Sequence, residues 1–253
     1  VVNIFLEVIL LDSSKKFQKN LLSTSGMAKE EMNNLIRKIV IRFSFFPVFL
    51  GLITLLPAGT LNYWQVYAYI AVLVIPMLFV VSYFLKNDPQ FLVRRMKMKE
   101  KEQQQTIIQI AFSFIFLSSY VVSGLDRRFG WSDVPVEIIF ISLFVILLGY
   151  LLIFLVFREN SYASRIIEVE ENQKVISTGL YGIIRHPMYF GMLIMFIPTP
   201  VALGSYWGLI PVATIPLALI FRILNEEKVL SRDLPGYWEY CQKTKYRLIP
   251  FLW

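Results

Sequence analysis

Two short clusters carry the residues able to do chemistry in this 253-residue chain. The first runs Gly179-Leu180-Tyr181-Gly182-Ile183-Ile184-Arg185-His186-Pro187-Met188-Tyr189-Phe190-Gly191. Proline suits the first turn of a helix, because its missing N–H would be unpaired there anyway. Pro187 therefore predicts a helix start, whose free amides and positive dipole end make a seat for a carboxylate. Arg185 and His186 add donors at the same place, and Gly191 lets a neighbouring backbone or ligand come close. The second cluster is Arg222-Ile223-Leu224-Asn225-Glu226-Glu227. Arg222 and Glu226 lie four apart and share one helical face, whereas Glu227 points about 100° away, toward water. Ionisable residues facing inward at the end of a membrane helix are functional candidates by default. Taken singly, each cluster serves equally well as plain structure: a capped helix start, and an interfacial ion pair.

Several chemistries are excluded at once. His186 is the only histidine, so it cannot build a zinc site alone, and the only cysteine, Cys241, has no internal disulfide partner. No Gly-x-Gly-x-x-Gly occurs, which removes the soluble dinucleotide-binding fingerprint. What remains is the positioning of charged groups at the end of apolar helices.

The elements that must position them are membrane helices. The chain is 56% hydrophobic and 17% charged, with a mean hydropathy of +0.58; soluble domains carry about 45–50% apolar and about 25% charged residues. A spanning helix needs roughly 20 mostly apolar residues. Four runs meet that length: Ile39–Ala58, Trp64–Leu85, Thr106–Leu125 and Pro135–Phe157. Met188–Leu203 and Tyr206–Leu224 follow as shorter or interrupted runs. The predicted fold is an all-α integral membrane protein of about six transmembrane helices, the last two forming a helical hairpin. With both termini cytoplasmic, segments 1–38, 86–105, 158–187 and 222–253 hold 22 of the 25 lysines and arginines. This positive-inside pattern sets the orientation. It also accounts for the net charge of +7 without a nucleic-acid partner. Trp64, Trp131 and Trp207 fall at the opposite, outer interface, as an aromatic belt requires.

Three regions follow from this layout: an N-terminal cytoplasmic extension over 1–38, a four-helix membrane region over 39–157, and a functional region over 158–253. Met27-Ala28-Lys29-Glu30-Glu31 reads as a natural beginning, so residues 1–26 are expected to be an upstream extension outside the native chain, the alternative being a short interfacial helix. Gln90–Gln105 interleaves apolar and basic residues, the pattern of an amphipathic helix lying on the inner leaflet. In the outer loop, Asp126 and Asp133 are expected to pair with Arg127 and Arg128. The segment Arg158–Arg185 is the only sizeable polar stretch between spans, with strand-like character over Arg165–Val169, and a loop that long is usually functional.

Taken together, Arg185-His186-Pro187-Met188-Tyr189-x-Gly191, Arg222-x3-Glu226-Glu227, Gly236-Tyr237-x2-Tyr240 and Tyr246-Arg247-Leu248-Ile249-Pro250 resemble the isoprenylcysteine carboxyl methyltransferase family, in its bacterial and archaeal form. The resemblance covers roughly Glu159–Trp253. It implies a prokaryotic inner-membrane enzyme that binds S-adenosylmethionine, releases S-adenosylhomocysteine, and admits a hydrophobic small-molecule or prenylated substrate from the bilayer. Carried over residue by residue, it makes Gln173, Lys174, Val175 and Ile176 a cofactor loop, followed by Tyr181. It makes His186, Pro187, Met188 and Tyr189 the cofactor-binding helix start, and Glu226 the acidic cofactor contact. Arg222 becomes the substrate-binding and catalytic residue, and no metal is involved. The chain departs from the family at Gln173 and Lys174, where histidine and threonine stand, and at Ile166, where a glutamine is expected.

One histidine is no obstacle to such a reaction. A carboxylate nucleophile with a pKa of about 4 is already ionised at neutral pH. The enzyme must align nucleophile, methyl and sulfur and keep water out, with no base to supply. Three other readings stay open from sequence: a phospholipid amine N-methyltransferase, an NADPH-dependent membrane reductase sharing the Arg-His-Pro helix, and a non-catalytic transporter.

Overall fold

The computed structural model describes residues 29–96, 103–163, 169 and 173–253. The expected upstream extension 1–26, the stretch 97–102, the strand-like run over 165–168 and Ile166 lie outside the described residues. Helices account for the rest of the architecture: α1 (Lys29–Ala58), α2 (Trp64–Asn87), α3 (Pro89–Met96), α4 (Gln103–Phe129), α5 (Val136–Glu159), α6 (Pro187–Phe196), α7 (Thr199–Ala202), α8 (Leu209–Val212), α9 (Ile215–Asp233) and α10 (Tyr237–Lys243). A single 3₁₀ turn, Gly179–Gly182, precedes α6. Among the described residues the only extended pairing is a lone parallel bridge between Ile184 and Tyr246.

Among the described residues, five helices are long and apolar enough to cross a membrane: Glu30–Ala58, Trp64–Asn87, Thr106–Phe129, Val136–Glu159 and Leu209–Asp233. The remaining apolar run, Pro187–Ala202, is shorter. At 1.5 Å per residue it reaches roughly 24 Å, less than the roughly 30 Å hydrocarbon core. Its partner returns from the turn at Gly204–Gly208 through α8 into α9, so the expected hairpin has one short leg.

Backbone turning at membrane depth must find its hydrogen bonds within the protein, and α4 supplies them. Ser205, fully buried, gives its hydroxyl to Asp126 Oδ2 at 2.5 Å and receives the Gly208 N–H at 3.0 Å. Ser119 donates to the Gly208 carbonyl at 3.0 Å. Asp126 also accepts the N–H and hydroxyl of Ser132, at 2.7 and 2.6 Å. This corrects the expected pairing of Asp126 with arginine. The carboxylate is 1% exposed and holds the hairpin turn, while Arg127 reaches the Asn62 carbonyl at 3.2 Å. Trp131 and Trp207 meet edge-on at 6.2 Å on this rim, where α2 also begins at Trp64.

The short leg lies against α5 through two glycines. A Cβ on Gly149 would come within 3.0 Å of the Gly191 carbonyl and the Met195 nitrogen, and one on Gly191 within 2.7 Å of Ile153. Only glycine permits backbones to approach this closely, and the contact fixes α6, and with it His186 to Tyr189, on the bundle. Of the amphipathic helix expected over Gln90–Gln105, the described part is α3, which ends at Met96, and Gln103 already belongs to α4. Helix α3 buries Phe91 and Leu92 against Met32, Leu35 and Ile39 of α1.

Candidate functional site

At the end of the bundle where α6, α9 and α10 meet, a cavity of about 110 Å³ opens. Its floor is built by α6 and α9. Tyr189 is 3% exposed, and its hydroxyl lies between two ionisable side chains of α9, Arg222 and Glu226. It accepts from Arg222 Nε at 2.9 Å and donates to Glu226 Oε2 at 2.5 Å. A phenol can accept and donate at once, so one hydroxyl holds a guanidinium and a carboxylate at fixed places. The two thus share one helical face with a tyrosine from another helix inserted between them.

The wall continues up that face. Arg222, Glu226, Leu230 and Leu234 all line the cavity at steps of four residues, the spacing that stacks side chains along a helix. Opposite stand Gln173, Lys174, Val175 and Ile176, with Tyr181, Tyr237 and Tyr240. His186 and Met188 complete the rim. Pro187 does not line the cavity; it is buried at the first position of α6, where it sets the helix start. Ten of the eleven residues singled out from the sequence therefore line one space.

Tyr181 ties that wall together. Its hydroxyl accepts from Asn160 Nδ2 at 3.0 Å, and its carbonyl accepts from the Tyr240 hydroxyl at 2.8 Å. Burial pushes the Tyr181 phenol up to about 12 and pushes Tyr237 and Tyr240 up as well, so all three remain neutral at physiological pH. Tyr237, 4% exposed, adds a ring packed at 5.8 Å from Tyr240.

Behind the cavity lies a second polar group that sequence reasoning missed. Glu227 is 8% exposed rather than facing water. Its carboxylate receives Arg185 Nη1 at 3.0 Å and Arg247 Nε at 2.8 Å, and it lies 3.4 Å from His186 Nε2. Arg185 is likewise committed to structure. It donates to the carbonyls of Thr244, Cys241 and Lys245 at 2.7, 3.1 and 3.2 Å, closing the end of α10. It is therefore not a spare donor at the helix start. The tail runs alongside: Arg185 and His186 give their N–H groups to Tyr246 and Arg247, both at 2.9 Å. The segment Tyr246–Pro250 thus belongs with the Arg-His-Pro segment in space.

The missed wall residues Leu230 and Leu234 carry a sequence signal, the four-residue row that begins at Arg222. Glu227 and Arg247 carry none, since nothing local says which of two adjacent glutamates turns inward.

Residues 138–234 match the family model described as phospholipid methyltransferase. That stretch runs from α5 to the end of α9 and includes the floor of the cavity. It overlaps the region whose motifs resemble the carboxyl methyltransferases. Among solved structures, the chain is similar to the eukaryotic intramembrane Ras methyltransferase, isoprenylcysteine carboxyl methyltransferase, determined without a monobody. Identity is 22%, over 81% of this chain and 74% of that one, with a TM-score of 0.46.

Proposed function

We propose that this integral membrane protein is a methyltransferase that takes S-adenosylmethionine in the cavity between α6, α9 and α10. It transfers the methyl group to the carboxylate of a lipid-like or prenylated acceptor. The observation that carries this is the Tyr189 hydroxyl held between Arg222 and Glu226. A group that attracts anions and a group that attracts cations lie one helical turn apart at the closed end of one cavity. The match of residues 138–234 to the phospholipid methyltransferase model supports methyl transfer, whichever acceptor takes the group.

The residues present suit the cofactor. Glu226 offers a carboxylate to a cationic end, and the row Leu230–Leu234 with Val175, Tyr237 and Tyr240 offers an apolar, aromatic wall to a nucleoside. When bound, the cofactor supplies a methyl group on a positively charged sulfur. Glu226 favours that positive charge, and Tyr189 keeps the carboxylate from closing onto Arg222. Arg222 orients the acceptor carboxylate through its planar fork. Pairing that is too tight would stabilise the ground-state charge and slow attack, so sharing Arg222 with a neutral phenol tempers its hold. Leu230 and Leu234 keep water from the aligned groups. No proton has to be removed, because a carboxylate with a pKa of about 4 is already ionised. The basic segments around the cavity support a position on the cytoplasmic side of the membrane.

The family match favours a second reading, methylation of a phospholipid amine. The two separate in one assay. Membranes containing the protein are incubated with labelled methyl donor, and extracted lipid is treated with base. Label released by base identifies a carboxyl ester, and label that resists base identifies a methylated amine. No label in lipid from active preparations overturns both. Calorimetric titration with S-adenosylhomocysteine and NADPH adds the cofactor class: binding of NADPH alone would make the protein a reductase, and binding of neither would favour a non-catalytic role.

A further inference from the structure

A second cavity lies at the same end of the bundle, outside the site just described. It is a groove of about 550 Å³ between the first turns of α1 and the helix α3. Lys38 and Arg42 stand one turn apart on α1, both exposed. Asn34 on α1 and Gln90 on α3 add neutral donors, and Leu35, Val93 and Met96 form an apolar base. We infer that this groove binds the phosphate of an anionic phospholipid, with the first part of the acyl chains against Leu35, Val93 and Met96.

Three observations carry the inference. First, the groove is built. Arg42 Nη1 donates to the Met96 carbonyl at 3.2 Å, which aims its guanidinium across the groove. Such a fork has five donors, so others remain to meet an oxyanion. Second, α3 is fixed from its other side. Arg94 Nε donates to the Ser161 carbonyl at 2.8 Å, and Arg95 stacks over Phe157 at 4.7 Å. The wall carrying Gln90 and Val93 is therefore in place before any lipid arrives. Third, the depth is right for a headgroup. Lys38 and Arg42 stand just beyond the point where α1 turns fully apolar, at the rim carrying most of the basic residues. Basic pockets between membrane helices on such a rim hold anionic headgroups. Glu31 also lines the groove, but lies roughly 10 Å along the helix from Lys38, at the lip. The two cations therefore dominate the interior.

The test is native mass spectrometry of the full chain in neutral detergent. The probes are phosphatidylglycerol, diacylglycerol with the same chains, and glycerol 3-phosphate. The wild-type protein should retain phosphatidylglycerol and neither of the other two. Each basic side chain near an anionic lipid surface is worth roughly fivefold in affinity. Lys38→Gln should therefore lose about fivefold, and Lys38→Gln with Arg42→Gln about thirtyfold. The single variant keeps the Arg42–Met96 bond and guards against misfolding. Arg37→Gln with Lys86→Gln removes the same charge outside the groove and should leave retention unchanged. Equal loss in that control would mean diffuse attraction and overturn the site. Equal retention of diacylglycerol would overturn the phosphate contact, and equal retention of glycerol 3-phosphate would overturn the lipid.

Discussion

Glu226 and Glu227 are neighbours in sequence with opposite work to do, and exchanging each for glutamine separates them. Glu227 is the counter-charge for Arg185 and Arg247, at 3.0 and 2.8 Å, beside His186 at 3.4 Å. Glutamine keeps the shape and removes the charge, leaving the two guanidinium groups without their counter-charge. Removing one member of a buried pair costs about 3–5 kcal/mol. The Arg247 side chain is 33% exposed, so water screens part of the effect and the lower figure, about 3 kcal/mol, applies. For a chain of this size each kcal/mol moves the melting midpoint by about 2–4 °C, so Glu227→Gln should lower it by roughly 6–12 °C. Glu226 instead faces the cavity and takes one bond from Tyr189. Glu226→Gln should leave the midpoint within about 2 °C of wild type. It should weaken S-adenosylhomocysteine binding about ten- to a hundredfold, the worth of one charge-assisted bond of about 1.5–3 kcal/mol. Thermal unfolding in detergent and calorimetric titration on the same preparations read both. Equal destabilisation by the two substitutions, or an affinity loss confined to Glu227→Gln at unchanged midpoint, would refute the assignment of the two roles.

Arg222→Lys keeps the charge and loses the planar fork; it should leave cofactor affinity nearly intact and lower turnover about ten- to a hundredfold, checked by titration beside a labelled-methyl assay. Gly149→Ala would push α5 away from the Gly191 carbonyl and the Met195 nitrogen. Overpacking of this kind costs about 1–3 kcal/mol, read as a lowered midpoint. Cys241 is pushed up from the usual thiol range chiefly by burial. Alkylation needs the thiolate, so its rate–pH curve with iodoacetamide should be displaced to the alkaline side of that of a small free thiol. A curve coincident with the free thiol would show that the cysteine is not held as described.

The sequence shows its membrane helices because the signal is local. An apolar run long enough to span is visible residue by residue, and Ile39–Ala58, Trp64–Leu85 and Thr106–Leu125 each lie within a helix. The start of α6 was legible at Pro187 for a similar reason, since a missing N–H belongs in a first turn. The pair Arg222 and Glu226 was legible through helical spacing, and Leu230 and Leu234 follow from the same four-residue step.

The rest needed the third dimension. Asp126 finds Ser205 79 positions away, and Arg185 finds Glu227 42 positions away. Both were assigned to nearer or freer partners from sequence, because charge alone names no address. The hydroxyl that joins Arg222 to Glu226 comes from Tyr189, on a different helix, and it turns an apparent ion pair into a divided site. Composition and periodicity thus determined which segments enter the membrane and which helical faces carry charge. Only tertiary packing decided which of those charges meet, because the close Gly149–Gly191 approach sets α6 on the bundle, and the partners that orient each buried charge are distant along the chain.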